Sequence, residues 1–189
     1  FGSRSEQRKP GKLVLRTTDD GGKSWNSDIP SEVLFDRLLP IDSQRGWARH
    51  GSDLSFTEDG GHHWSKLTSA ELAPEETIVK TQLIGDAVVL ISNSGRVLEY
   101  SRSAGWISLP SIPAHSKLSM VSFVGPTAAY AVAAYNELWG AADIHGQWTP
   151  AGNLVGASSQ LAIWAGPRVL IRSRDGPIKV YEPAMSREV

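Results

Sequence analysis

Two eight-residue stretches of this chain follow one formula. Thr18-Asp19-Asp20-Gly21-Gly22-Lys23-Ser24-Trp25 and Thr57-Glu58-Asp59-Gly60-Gly61-His62-His63-Trp64 both read Ser/Thr-x-Asp-x-Gly-x-x-Trp, and their tryptophans stand 39 residues apart. Two weaker echoes follow. Ser101-Arg102-Ser103-Ala104-Gly105-Trp106 keeps the hydroxyl and the Trp but lacks the Asp, and Asp143-Ile144-His145-Gly146-Gln147-Trp148 keeps Asp, Gly and Trp in a shorter frame. Trp64 to Trp106 is 42 residues and Trp106 to Trp148 is 42 again, so a further repeat would place its Trp at 190. A period of this size marks a supersecondary unit that cannot bury its apolar face alone and stacks on its neighbours.

The formula describes a hairpin turn held shut by its own side chains. Asp accepts hydrogen bonds from turn amides, and the hydroxyl does the same more weakly. Gly takes the positive-φ position that a Cβ disfavours. Trp opens the returning strand with its ring under the loop, and its indole N–H needs an acceptor nearby. Thr18, Asp20, Gly22 and Trp25 in the first turn, and Thr57, Asp59, Gly61 and Trp64 in the second, are therefore read as structural residues.

Between the turns the pattern is strand-like. Leu13-Val14-Leu15 leads into the first turn. Residues 86–92 and 96–100 predict a hairpin across Asn93-Ser94-Gly95, and 119–124 and 128–134 another across Gly125-Pro126-Thr127. Residues 161–165, 168–172 and 178–181 predict three more strands, with turns at Gly166-Pro167 and Asp175-Gly176-Pro177. Ser31 to Leu39 is the best helix candidate, but its apolar residues do not settle the period, and strand or loop is favoured. With 18 Gly, 11 Pro and 7 Trp in 189 residues, the composition also favours short strands and many turns over long helices. The reading is one all-β domain over residues 1–189, with repeats at about 1–30, 31–68, 69–110, 111–151 and 152–189.

At this point the residues resemble a known family. Asp42-Ser43-Gln44-Arg45-Gly46-Trp47-Ala48, followed by Leu54-Ser55-Phe56 and the second turn, resembles an Asp-box or BNR repeat. More narrowly it resembles the photosystem II stability/assembly-factor type of β-propeller, whose repeats run Gly-Trp-Ala into Thr-x-Asp-Gly-Gly-x-x-Trp. Leu15-Arg16-Thr17 and the first turn resemble it equally well. The likeness is sharp over residues 11–68 and is carried by spacing alone afterwards. It implies a propeller of four-stranded blades, and a role outside the cytoplasm as in the photosynthetic members. Arg49 departs from the pattern, standing where the family has an apolar residue. About four and a half periods are present, which favours a small closed or nearly closed propeller of four or five blades over part of a larger one. The opening Phe1-Gly2-Ser3-Arg4 has neither an initiator Met nor the form of a signal peptide, and reads as a processed or trimmed start.

Function is narrowed mainly by what the residues lack. A net charge of −1 argues against a nucleic-acid surface. With 0 Cys there are no disulfides, thiolate zinc sites or thiol nucleophiles. No apolar run reaches the length of a membrane helix. Sialidases also carry Asp boxes, but their Phe/Tyr-Arg-Ile-Pro signature is absent. In Glu99-Tyr100 and Tyr181-Glu182 the two side chains point to opposite faces of a strand. His62-His63 sits on a turn without a third ligand, and Asp19, Asp20 and Asp59 lack the further acidic ligands of a calcium loop. No catalytic residue, metal or cofactor is therefore expected.

One pattern points outward. Setting Trp47 and Leu170 as equivalent sites matches Arg45 with Arg168 and Arg49 with Arg172, where two other repeats carry Val88, Leu90 and Ser92, and Ala129, Ala131 and Ala133. If these strands lie innermost in their blades, the four arginines form a basic patch for an acidic protein segment or another anion. Salt bridging between blades and rim solvation compete for the same residues. The expected function is a non-catalytic interaction module that assembles or stabilises an extracytoplasmic complex, its partner an acidic protein or a membrane-complex subunit. The alternative is a carbohydrate-binding or sialidase-like propeller.

Overall fold

The computed structural model describes residues 14–18, 20–26, 29–30, 33–67, 72–134, 137–153, 159–163, 169–173 and 178–181. No α-helix occurs among them, and no helix is long and apolar enough to cross a membrane. The chain divides into two compact units, Phe1–Ser69 and Ala70–Val189. Leu13, Asp19, Arg168 and the turns expected at Gly166-Pro167 and Asp175-Gly176-Pro177 lie outside the described residues.

In the first unit, β1 (Val14–Leu15) pairs with β2 (Ile29–Pro30). A four-stranded antiparallel sheet follows in sequence order: β3 (Arg37–Pro40), β4 (Gly46–His50), β5 (Asp53–Thr57) and β6 (Ser65–Lys66). The ambiguous segment before the Gly-Trp-Ala stretch thus ends in a strand, β3. Trp47 and Phe56 face each other across β4 and β5, with ring centroids 4.5 Å apart. Leu54, two residues from Phe56, is buried on the same face, and Ala48, next to Trp47, is buried on the other.

The second unit repeats the arrangement. The strands β7 (Ile78–Ile84), β8 (Ala87–Ser92), β9 (Val97–Ser101) and β10 (Gly105–Leu109) form one four-stranded meander. A second is built from β11 (Leu118–Phe123), β12 (Ala129–Ala133), β13 (Glu137–Ala141) and β14 (Thr149–Asn153). The strands β15 (Ser159–Ile163), β16 (Val169–Ser173) and β17 (Ile178–Tyr181) make a three-stranded sheet.

In these two meanders the second strand, apart from the terminal Ser92 of β8, is apolar because it is covered on both faces. Val88, Val89, Leu90 and Ile91 of β8 are fully buried, each stabilising the fold by ~1.5–3 kcal/mol. Alternation sorts them. Val89 and Ile91 share a cluster with Ala129, Ala131 and Ala133 of β12 and with Trp139 and Trp148. Alanines there leave room for the branched chains and the indoles, as close packing demands. Tyr130, Val132 and Leu138 pack on the other face.

Polar support lies at the strand ends. The Glu76 carboxylate accepts hydrogen bonds from Ser94 Oγ, Ser92 Oγ at 3.0 Å, Arg96 Nη1 at 2.9 Å and Ala73 N at 2.8 Å. Burial opposes its charge, but these donors outweigh it and hold the carboxyl at about 2.

Candidate functional site

Both intact turns have the construction the formula requires. In the first, Thr18 Oγ1 donates to Asp20 Oδ1 at 2.8 Å and accepts from Gly22 N at 2.8 Å. Asp20 also accepts from Lys23 N and Ser24 N at 2.9 Å and from Ser24 Oγ at 2.6 Å. In the second, Thr57 Oγ1 donates to Asp59 at 2.9 Å and accepts from Gly61 N at 2.9 Å, while Asp59 accepts from His63 N at 2.9 Å and meets His63 Nδ1 at 2.6 Å. Gly22 and Gly61 have φ of 91° and 95°. The Trp64 indole donates to Gly61 O at 3.0 Å.

These bonds decide the chemistry of the two carboxylates. The Ser24 hydroxyl and amide hold Asp20, and the His63 amide and ring hold Asp59, well below the usual carboxylate range. Both are ionised acceptors spent on their own turns, so neither carries a proton to donate at neutral pH. Among the described residues, no group of three or more His, Cys, Asp or Glu is placed to hold a metal ion.

The two turns matter unequally to stability. Thr57 is buried and Thr18 is not. Thr57→Val strands the buried Gly61 N–H and is expected to cost ~1–3 kcal/mol, whereas water replaces the lost hydroxyl in Thr18→Val and the cost stays under ~1 kcal/mol. Urea titration of the two variants measures the difference.

The turns flank a cleft of 530 Å³ within the first unit, lined by Leu15, Trp25, Leu38, Arg45, His62 and Trp64 among others. Leu15 lies close against the second turn: a methyl added at Gly61 would stand 2.7 Å from Leu15 Cδ1 and 3.5 Å from Trp64 Cζ2. Trp25, at the equivalent place in the first turn, is 58% exposed. The four repeated tryptophans share a position, each at or before the last strand of its sheet, but not an environment. Trp106 packs edge-on against Tyr100, with centroids 5.1 Å apart, and Trp148 belongs to the core at 4% exposure.

The structure separates the arginines. Arg45 stands one residue ahead of β4, where Asp42 accepts from its backbone N and, at 2.7 Å, from its Nε. Those bonds and the Gln44 amide lower Asp42 to about 2. Arg49 lies in β4, with Nη2 2.7 Å from Asp36 Oδ1 and Nη1 donating to Gly51 O at 2.7 Å. β4 pairs with β3 on one side and β5 on the other, so its strand is second in the sheet and not innermost as the sequence reading supposed. Of Arg172, in β16, only the backbone is described. Arg45 lines the cleft and Arg49 does not. The cleft itself was not foreseen; the two turns that frame it were.

Meander sheets in sequence order, with an intact Asp-box turn joining the third to the fourth strand of the β3–β6 sheet, place this chain in the β-propeller class, and its repeats resemble the photosystem II assembly-factor type. A curated relative, the photosystem II assembly lipoprotein Ycf48 of Synechococcus sp. (strain CC9902), is 38% identical over 90 residues, which is 44% of this chain and 27% of the relative's length. Among solved structures, the computationally designed Ika8 protein superimposes with a TM-score of 0.59 at 15% identity, covering 82% of this chain and 48% of that one. The designed Ika4 protein gives 0.54 at 17% identity, covering 80% and 92%. At such identities these two structures speak for the fold alone. No protein-family profile matches the chain.

Proposed function

We propose that this chain is a non-catalytic protein-binding module that helps assemble or stabilise a membrane-protein complex outside the cytoplasm, and that it engages its partner through the cleft between the two Asp boxes. The observation that carries this reading is the 38% identity to a photosystem II assembly lipoprotein. The cleft has the make-up of a protein-binding hot spot, since the exposed Trp25 indole, Leu38 and Arg45 all line it. The carboxylates that line it, Asp42 and Asp59, are tied into their turns, which favours binding over acid–base chemistry. A partner segment with an apolar side chain next to a carboxylate suits this pairing.

The test is capture of solubilised membrane complexes from the native host on immobilised protein. Trp25→Ala is expected to weaken capture at least ~10-fold, the size of a hot-spot loss. Its unfolding midpoint should stay unchanged, because the ring is mostly in water. Arg45→Ala should weaken capture further, while Ile107→Ala, exposed in the second unit, should leave it intact. Undiminished capture by the Trp25 and Arg45 variants would remove the cleft from the account. Strong glycan-array binding or sialidase turnover without protein capture would favour the carbohydrate reading instead.

A further inference from the structure

We propose that His145 is a proton-operated latch between two neighbouring sheets of the second unit, β7–β10 and β11–β14. His145 sits in the turn from β13 to β14, the shortened fourth repeat of the Asp box. Its Nδ1 lies 2.8 Å from Asp143 Oδ1 in the same turn, and its Nε2 lies 2.9 Å from Glu99 Oε2 on β9 of the adjacent sheet. Asp143 also accepts the His145 backbone N–H at 2.9 Å, which fixes the ring's approach. Glu99 and Asp143 are the titratable groups facing the ring, one from the neighbouring sheet and one from its own turn.

Hydrogen counting makes this a switch and not a static bridge. A neutral imidazole has one N–H, so it serves one carboxylate and turns a lone pair toward the other. The imidazolium donates to both. Only the protonated ring therefore ties the turn and the neighbouring sheet together at once. The Glu99 side chain is 14% exposed, so solvent screens this contact less than a surface pair. Beneath it, Ile144 and Trp148, on either side of His145, are buried in the cluster that holds Val89, Ile91 and Val97 of the other sheet. The latch thus closes over the seam where the two sheets share a core.

The pH direction follows. Hydrogen bonds to Asp143, then to Glu99, raise the His145 pKa above 6.5, against a smaller opposing effect of burial. A group whose folded pKa is raised contributes stability that is fully present below its unfolded value and is lost as pH rises through the folded one. The sheets are latched at mildly acidic pH and released toward alkaline pH.

The experiment is a pH titration of the histidine rings of the full chain by NMR, with amide hydrogen exchange followed over the same range. In the wild type the His145 midpoint should lie above the ordinary histidine value of about 6.5. Glu99→Gln should move it back toward that value. Exchange at β9 and at residues 143–148, corrected for its intrinsic pH dependence, should quicken as pH passes the wild-type midpoint, while β8 and β12 stay protected. His145→Gln should abolish that pH dependence. If Glu99→Gln fails to fold, Asp143→Asn gives the same reading from the other carboxylate. A midpoint at or below the ordinary value that neither variant moves, or corrected exchange that is flat across the range, overturns the latch.

Discussion

Trp47→Ala is expected to destabilise the first unit by ~3–5 kcal/mol, enough to remove much of the stability of a small domain. Trp47 is 1% exposed and carries the largest side chain in that unit's buried set. It stands opposite Leu39 on β3 and Phe56 on β5, so it touches both neighbouring strands of its sheet. The tilted contact with Phe56, at 4.5 Å between centroids, adds ~0.5–1.5 kcal/mol beyond area burial. Among the described residues few other large side chains of this unit are buried, Leu54 and Phe56 chief among them, so little can collapse into the space left. Trp47→Phe keeps a ring against Phe56 and should recover more than half of the loss. Denaturant unfolding of both variants provides the measurement. A cost below ~1 kcal/mol for Trp47→Ala would mean that the sheet's floor is built by other residues. Because Trp47 also lines the cleft, this loss should lower partner binding through unfolding, whereas Trp25→Ala lowers it with the fold intact.

What could be read without coordinates was local. Thr57, Asp59, Gly61 and Trp64 specify their turn within eight residues, and every bond expected of them is made inside that span. The β8–β9 and β11–β12 hairpins were equally legible, since apolar runs broken by Gly turns carry their own register. Burial was not legible in the same way. Nothing within the two repeats explains why Trp25 is 58% exposed and Trp148 4%, because exposure depends on which other segment covers the ring. The pairing of Glu99 with His145 spans 46 residues, and that of Arg49 with Asp36 needed β3, the strand whose apolar run showed no clear period. The basic-patch reading rested on strand order for the same reason. Sequence spacing aligned Arg45 and Arg49 with later arginines, but it could not say that β4 is second in its sheet or that each guanidinium already meets an aspartate.

Gly95→Ala should cost ~2–6 kcal/mol, the sum of two separable effects. The first is conformational. Gly95 has φ of 90°, outside the regions an L side chain prefers, which costs ~1–3 kcal/mol. The second is steric. An added Cβ would stand 2.4 Å from the backbone oxygen of Ile112 and 3.5 Å from its Cβ. Overpacking of this kind costs ~1–3 kcal/mol when the obstacle cannot swing away. Here it cannot, because Ile112 N donates to Gly95 O at 2.8 Å and Leu118 N to Asn93 O at 2.7 Å. Those two bonds tie the β8–β9 turn to the segment leading into β11, and Ile112 itself is sunk in the shared core. Gly85→Ala isolates the first effect: Gly85 has φ of 57° in the β7–β8 turn, and a Cβ there meets nothing within 4 Å. It should therefore cost about 1 kcal/mol. Unfolding free energies give the difference, and hydrogen exchange at Ile112 and Leu118 locates it, with both amides expected to lose protection in Gly95→Ala alone. Equal costs for the two variants would show that the turn and the Ile112 segment part easily, and that the sheets are held by their apolar faces without this backbone tie.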